Sequence, residues 1–190
     1  IGNGRVITND ENERIIENGC IVIEGNTIKE VGDTSLIKCK YEDNEHEYID
    51  AEGKIIMPGM INTHHHIYSE FARGLDFKNE KLQSFTDILK NVWWKLDKKL
   101  TLEDLRYSAY TAFIECIKNG VTTVFDHNSS PMSISGSLPT ISNVADELGI
   151  RGCYCYEVSD RDGNRVLDLA IKENIDFIKY AEKKQDDMTK

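Results

Sequence analysis

After Pro58-Gly59, apolar runs of strand length alternate with longer segments of helical period, and this constrains the fold more than any other feature of the sequence. Parallel strands need a crossover between them, usually a helix, so the alternation implies parallel β/α units. Met60-Ile-Asn62 leads into three histidines. Val121-Thr-Thr-Val-Phe125 is β-branched and apolar, as suits a strand buried on both faces, and Ile150 to Val158 reads as a third strand. Between them, Phe85, Ile88, Leu89, Val92, Trp93 and Leu96 fall on one helical face. Thr101 with Asp104 resembles a capping box that opens a second apolar stripe, which runs to Gly120. Ser137 to Leu148 and Val166 to Lys184 are further helices. Three strand-then-helix units result.

The first 57 residues follow a different grammar. Gly19 to Glu24 and Thr27 to Val31 flank Gly25-Asn26, a two-residue connection that predicts a tight hairpin in a small antiparallel sheet. His46 to Ile49 and Lys54 to Met57 flank Asp50-Ala-Glu-Gly53, a second hairpin candidate, and Lys38 to Glu45 reads as a charged loop. A domain of residues 1–57 followed by one of residues 58–190 is therefore expected.

A length of 190 residues allows one ordinary domain or two small ones. The formal charge is −10, and lysine and arginine are scattered, so the basic footprint of a nucleic-acid or anionic-membrane binder is absent. No window approaches the roughly 18 apolar residues that read as a membrane span, and a cytoplasmic location is the default. The five cysteines form an odd set without framework spacing and read as reduced thiols.

Chemistry concentrates in Pro58-Gly-Met-Ile-Asn-Thr-His64-His65-His66. On a strand His64 and His66 share one face and His65 points to the other. Two imidazoles spaced in this way can grip one ion, with nitrogen to zinc distances near 2.0 to 2.1 Å. The competing reading is a polar strand end with ordinary histidines. An expression tag does not fit a run that is short, internal and embedded in an apolar strand.

This phrase resembles the metal-binding first strand of the amidohydrolase superfamily, with Pro-Gly, apolar residues, a short polar residue and His-x-His. Gly19 to Gly32 is similar to the β-sandwich segment that precedes the barrel in that superfamily. Ala72-Arg-Gly74, Asn119 to His127 and Tyr156 to Gly163 resemble its cytosine deaminase and chlorohydrolase branch, nearest to the aminohydrolases called SsnA. The resemblance implies an α/β chain, the start of a (β/α)8 TIM barrel preceded by part of a small β-sandwich, with a metal site at the barrel's C-terminal mouth. It implies His64 and His66 as ligands of a divalent ion, zinc or else iron. It also implies a water made acidic by the ion, which attacks an amidine or amide carbon and releases ammonia. The partner is a small-molecule amine or amide, and a homo-oligomer is possible.

The family's remaining ligands and its catalytic acid and base belong to later strands, so they are expected beyond residue 190. A barrel takes about 250 residues and eight units; three units imply the N-terminal part of a protein more than twice as long, itself inactive. Two rivals stand: a binuclear cyclic amidase of the same superfamily, and a non-catalytic metal-binding or interaction protein. In the expected topology His127 shares a rim with His64 and His66, and could touch the ion, line a substrate pocket or be a hydrogen-bonded strand-end histidine. Arg73 could contact substrate or pair with a carboxylate. Cys153 and Cys155 read as packing, Trp93-Trp94 as helix packing with an aromatic facing the pocket as the alternative, and Asp160-Arg161-Asp162 as a turn with a helix cap.

Overall fold

Main-chain bonding turns each expected parallel unit into a sheet strand with its crossover helix. The computed structural model describes residues 1–12, 14–42, 45–75, 83–184 and 188–190. They divide into two compact units, Ile1–Pro58 and Gly59–Lys190.

In the first unit β1 (Gly4–Ile7), β2 (Ile15–Glu24), β3 (Thr27–Asp33) and β4 (Ile55–Ile56) form one sheet in the order β3-β2-β1-β4. The first hairpin is present: β2 and β3 pair antiparallel from Glu24 opposite Thr27, and Gly25 turns the chain at a φ of 60° that glycine adopts without cost. The second hairpin does not form. The segment from Ile49 runs parallel to β1 and takes its free edge, with Gly2 N–H donating to the Ile49 carbonyl at 3.0 Å and Arg5 N–H to the Lys54 carbonyl at 3.0 Å. The expected charged loop also starts too early. Asp33 caps α1 (Thr34–Lys40) by accepting from the Ser35 amide at 2.8 Å, and Ile37 is on the buried side of the helix. Asp43 and Asn44 of that loop lie outside the described residues.

In the second unit β5 (Met60–His65), β6 (Val121–Asn128) and β7 (Arg151–Tyr156) form a parallel sheet in the order β5-β6-β7. A 3₁₀ turn (Ile67–Ala72) follows β5. Then α2 (Phe85–Ile88) passes through one π turn (Leu89–Trp93) into α3 (Trp94–Asp97). The Thr101 and Asp104 capping box opens α4 (Leu102–Lys118), with both reciprocal bonds made. Next come α5 (Ser137–Leu148) and α6 (Asn164–Lys184). Beyond α6, Lys190 N–H donates to the Gly152 carbonyl at 3.0 Å and the Lys190 carbonyl accepts from Tyr154 N–H at 3.1 Å, so the last residues run parallel along the outer edge of β7.

The core lies between one face of this sheet and its helices. Val124 and Tyr154 from the sheet, with Ile150 just before β7, meet Phe113, Leu138 and Phe177 from α4, α5 and α6. The other face departs from the expectation of a strand buried on both sides: Phe125 is 45% and Ile61 59% exposed. Among the described residues no second layer covers them.

Candidate active site

The three histidines sit where β5 ends and the 3₁₀ turn begins. His64 and His66 point to one side, their Nε2 atoms 3.0 Å apart. His65 points to the other, its ring nitrogens 3.8 Å from Asp126 and 3.9 Å from Glu70. The corner is locked from behind. The buried Asp126 carboxylate accepts the Ile67 amide at 2.7 Å, and Ser108 on α4 donates to the Ile67 carbonyl while accepting from the Glu70 amide at 3.2 Å. The turn direction after the strand is thereby set by side chains of β6 and α4.

His66 Nδ1 lies 3.1 Å from the His127 carbonyl oxygen. A carbonyl only accepts, so Nδ1 carries the proton, and it is the tautomer with Nδ1–H that presents the lone pair of Nε2. This is the main-chain bond by which ligating histidines are commonly oriented. The His127 ring stands edge-on to that of His66, centroids 5.5 Å apart, and its buried Nδ1 has no hydrogen-bond partner among the described residues.

These donors suit a divalent ion, because two nitrogens 3.0 Å apart can both lie about 2.0 to 2.1 Å from one metal. They do not complete a site: among the described residues no group of three or more His, Cys, Asp and Glu side chains is arranged to hold a metal ion.

A cleft of about 430 Å³ opens beside the pair. Tyr68, Trp93 and Trp94 supply aromatic wall, and His127, Asp97 and Arg161 supply polar groups. The two tryptophans reach it from the π turn and α3, so the alternative reading, an aromatic facing the pocket, holds for both. Single π turns inside helices recur at functional sites. Arg161 stacks 4.8 Å above the Trp94 ring and grips both Glu157 oxygens, at 2.9 and 2.6 Å, while Ser129 donates to the second at 2.9 Å. Burial works to raise the Glu157 carboxyl, but these bonds outweigh it and hold it below the usual range. Asp97 is only 2% exposed, and burial pushes its carboxyl up to about 7, opposed by Arg161 and assisted by the Glu157 charge. Burial likewise raises the Tyr68 hydroxyl.

Of the residues expected at the site, His64, His66 and His127 therefore meet at one cleft. Arg73 does not line it. Its side chain is 73% exposed and donates to Glu70 at 3.0 Å, the carboxylate-pairing role. Cys153 and Cys155 lie with His64 and His66 along a second cavity, and burial raises the Cys155 thiol away from the thiolate a soft metal would need. Asp97, Glu157 and Arg161 were not expected. Asp97 ends an apolar helical stripe, and Arg161 reads as a turn residue; only the proximity of Glu157 and Arg161 in one polar segment hinted at them.

Residues 55–190 match the family model described as the amidohydrolase family. The chain belongs to this family. A 5-methylthioadenosine/S-adenosylhomocysteine deaminase of Bacillus cytotoxicus is 32% identical over 189 residues, which cover 97% of this chain and 40% of the relative. The chain thus spans about two fifths of the length of that curated amidohydrolase. Two solved structures share its fold: atrazine chlorohydrolase TrzN from Arthrobacter aurescens, complexed with zinc (TM-score 0.69, 21% identity, 98% of this chain and 44% of that one), and guanine deaminase from C. acetobutylicum with guanine in its active site (0.72, 20%, 98% and 43%).

Proposed function

We propose that the protein is a metal-dependent aminohydrolase that releases ammonia from a nitrogen heterocycle of the aminopurine class, and that this chain supplies the first ligands and one wall of its active site. The observation that carries the reading is the Nε2 pair of His64 and His66, 3.0 Å apart, with the His66 tautomer set by the His127 carbonyl. The deaminase relative and the guanine-bound structural neighbour support the substrate class, and the zinc complex of TrzN supports zinc as the ion.

His64 and His66 would hold the metal through Nε2. When bound, the ion supplies Lewis acidity that makes water a competent nucleophile near pH 7. The chain's own residues do the rest of the preparation. The His127 carbonyl keeps the His66 lone pair turned outward, Asp126 and Ser108 keep the corner from relaxing, and the His127 ring contacts substrate. Tyr68, Trp93 and Trp94 offer flat apolar surface to a planar ring and exclude water from it. Arg73 would act on substrate only from the rim. The uncovered sheet face around Phe125 would become the packed interior of a (β/α)8 barrel, whose further strands bring the missing ligands and proton-transfer groups. Free thiols at all five cysteines agree with a reducing, cytoplasmic setting.

The test is metal content by elemental analysis and ammonia release from 5′-methylthioadenosine and guanine by the full-length protein. Zinc bound by the wild type and lost from the His64→Ala/His66→Ala variant, together with the activity, is expected. Unchanged metal in that variant would sink the assignment.

A further inference from the structure

The outer edge of β7 changes partners at its last residue. Gly152 N–H donates to the Met188 carbonyl at 2.8 Å and Tyr154 N–H to the Lys190 carbonyl at 3.1 Å, the rungs of a parallel ladder. At Tyr156 a side chain takes the place of the next rung. The Asn174 amide, from α6, accepts the Tyr156 N–H at 3.0 Å and donates to the Tyr156 carbonyl at 3.1 Å. It also donates to the Ala170 carbonyl of its own helix at 2.9 Å, which ties the side chain down. A main-chain N–H only donates and a carbonyl only accepts, so these partners admit one orientation of the amide. Asn174 thus occupies both groups that a neighbouring strand would need at Tyr156, and no strand pairs there while it is in place.

We propose that Asn174 is a positioning residue, which fixes the rim end of β7 and so sets where the Glu157 side of the cleft stands. Glu157 is the next residue in the chain. Its N–H donates to the Asn128 carbonyl of β6 at 2.9 Å, so the chain leaves the sheet between a main-chain hold on one edge and the Asn174 amide on the other. From there the Glu157 carboxylate reaches the cleft wall, grips Arg161 at 2.9 and 2.6 Å and accepts from Ser129 at 2.9 Å. Arg161 Nε faces Asp162 at 3.6 Å, so the guanidinium is committed on both sides and moves with the end of β7. Strand ends at the C-terminal rim are where such barrels place their chemistry. The consequence for catalysis rests on the aminohydrolase reading above; the hold on the strand end does not.

The test uses the full-length protein and two readouts. Hydrogen exchange, followed by mass spectrometry, should speed up at least tenfold in the peptide holding Tyr156 and Glu157 when Asn174 is replaced by Ala. In ammonia release from 5′-methylthioadenosine, Asn174→Ala should raise KM at least fivefold and leave kcat within twofold. A merely structural role would act the other way, lowering the active fraction and hence kcat while KM stayed put. Asn174→Asp keeps the acceptor for the Tyr156 N–H but loses the donor, and should fall between wild type and Ala in both readouts. Tyr180→Phe is the control on the same helix: it removes the bond from the Tyr180 hydroxyl to Asn143 and should lower the thermal midpoint with KM unchanged. Circular dichroism identifies an Asn174→Ala chain that fails to fold, in which case Asn174→Asp decides. Unchanged exchange at Tyr156, an unchanged KM in a folded variant, or the same KM rise in Tyr180→Phe overturns the proposal. Failure of the aminohydrolase reading looks different: the wild type would release no ammonia, and exchange at Tyr156 alone would then decide whether Asn174 holds the strand end.

Discussion

His66 Nδ1 and the main-chain carbonyl of His127, 3.1 Å apart, join the ends of two neighbouring parallel strands. The bond occupies Nδ1, and the other ring nitrogen of His66 is the one that faces His64 Nε2. His65→Ala removes a ring on the opposite side, so it should leave the metal content of the full-length protein unchanged while lowering the urea midpoint. Loss of metal on that substitution would show that strand alternation does not sort the three histidines as described.

Asp97 predicts a pH dependence of stability. Its folded carboxyl titrates at about 7 against an ordinary value of 3.8, so between those values the unfolded chain ionises while the folded one stays protonated. Its contribution is fully present below about 4 and is lost as the pH rises through 7. At 1.36 kcal/mol per pH unit the ceiling is about 4 kcal/mol. Asp97→Asn should flatten the decline of the urea midpoint between pH 4 and 7, and a parallel decline in the variant would refute the buried-acid description.

Glu173 on α6 provides the N-terminal cap that α5 lacks locally. Its buried carboxylate accepts the amides of Gly136 at 2.9 Å and Leu138 at 3.0 Å and faces the Ser137 hydroxyl at 3.4 Å, where Gly136 offers no side chain. Glu173→Ala strands these donors and should cost about 2 to 4 kcal/mol. Glu173→Gln should recover part of that in the same thermal or urea denaturation experiment.

Gly152 is occupied by Tyr154. A Cβ at Gly152 would lie 2.0 Å from the Tyr154 Cζ, and that ring is held between Phe113 and Phe177 at centroid distances of 6.5 and 5.9 Å. Gly152→Ala should therefore destabilise by about 1 to 3 kcal/mol, as overpacking does. A neutral result would mean that the ring has room to shift.

The sheet face carrying Ile61 and Phe125, uncovered among the described residues, predicts association of the 190-residue chain with itself. Light scattering of the chain at rising concentration should show growth beyond the monomer mass; a strict monomer would argue that the described face is stable in water.

The histidine pair was legible because a strand has a period of two, so spacing alone puts His64 and His66 together. The helices were legible for the same kind of reason: the capping box at Thr101 and the stripe that ends at Gly120 are local patterns. The hairpin expected at Asp50 to Gly53 failed because turn residues permit a reversal without requiring one, and the free edge of β1 competed for the same main-chain groups. The aromatic wall was half legible. A helical stripe specifies which residues share a face, not whether that face meets core or cleft.

By itself, then, the sequence determined the parallel β/α order, the placement of two imidazoles on one side of a strand end, and the family. Tertiary structure alone decided that Asp97, from a segment far from Glu157 and Arg161 in the chain, meets those two residues beside the imidazoles. The physical reason is range. Periodicity and capping act within a turn or two of chain, whereas the ionisation of a buried carboxylate depends on burial and charge delivered by elements that the fold brings together.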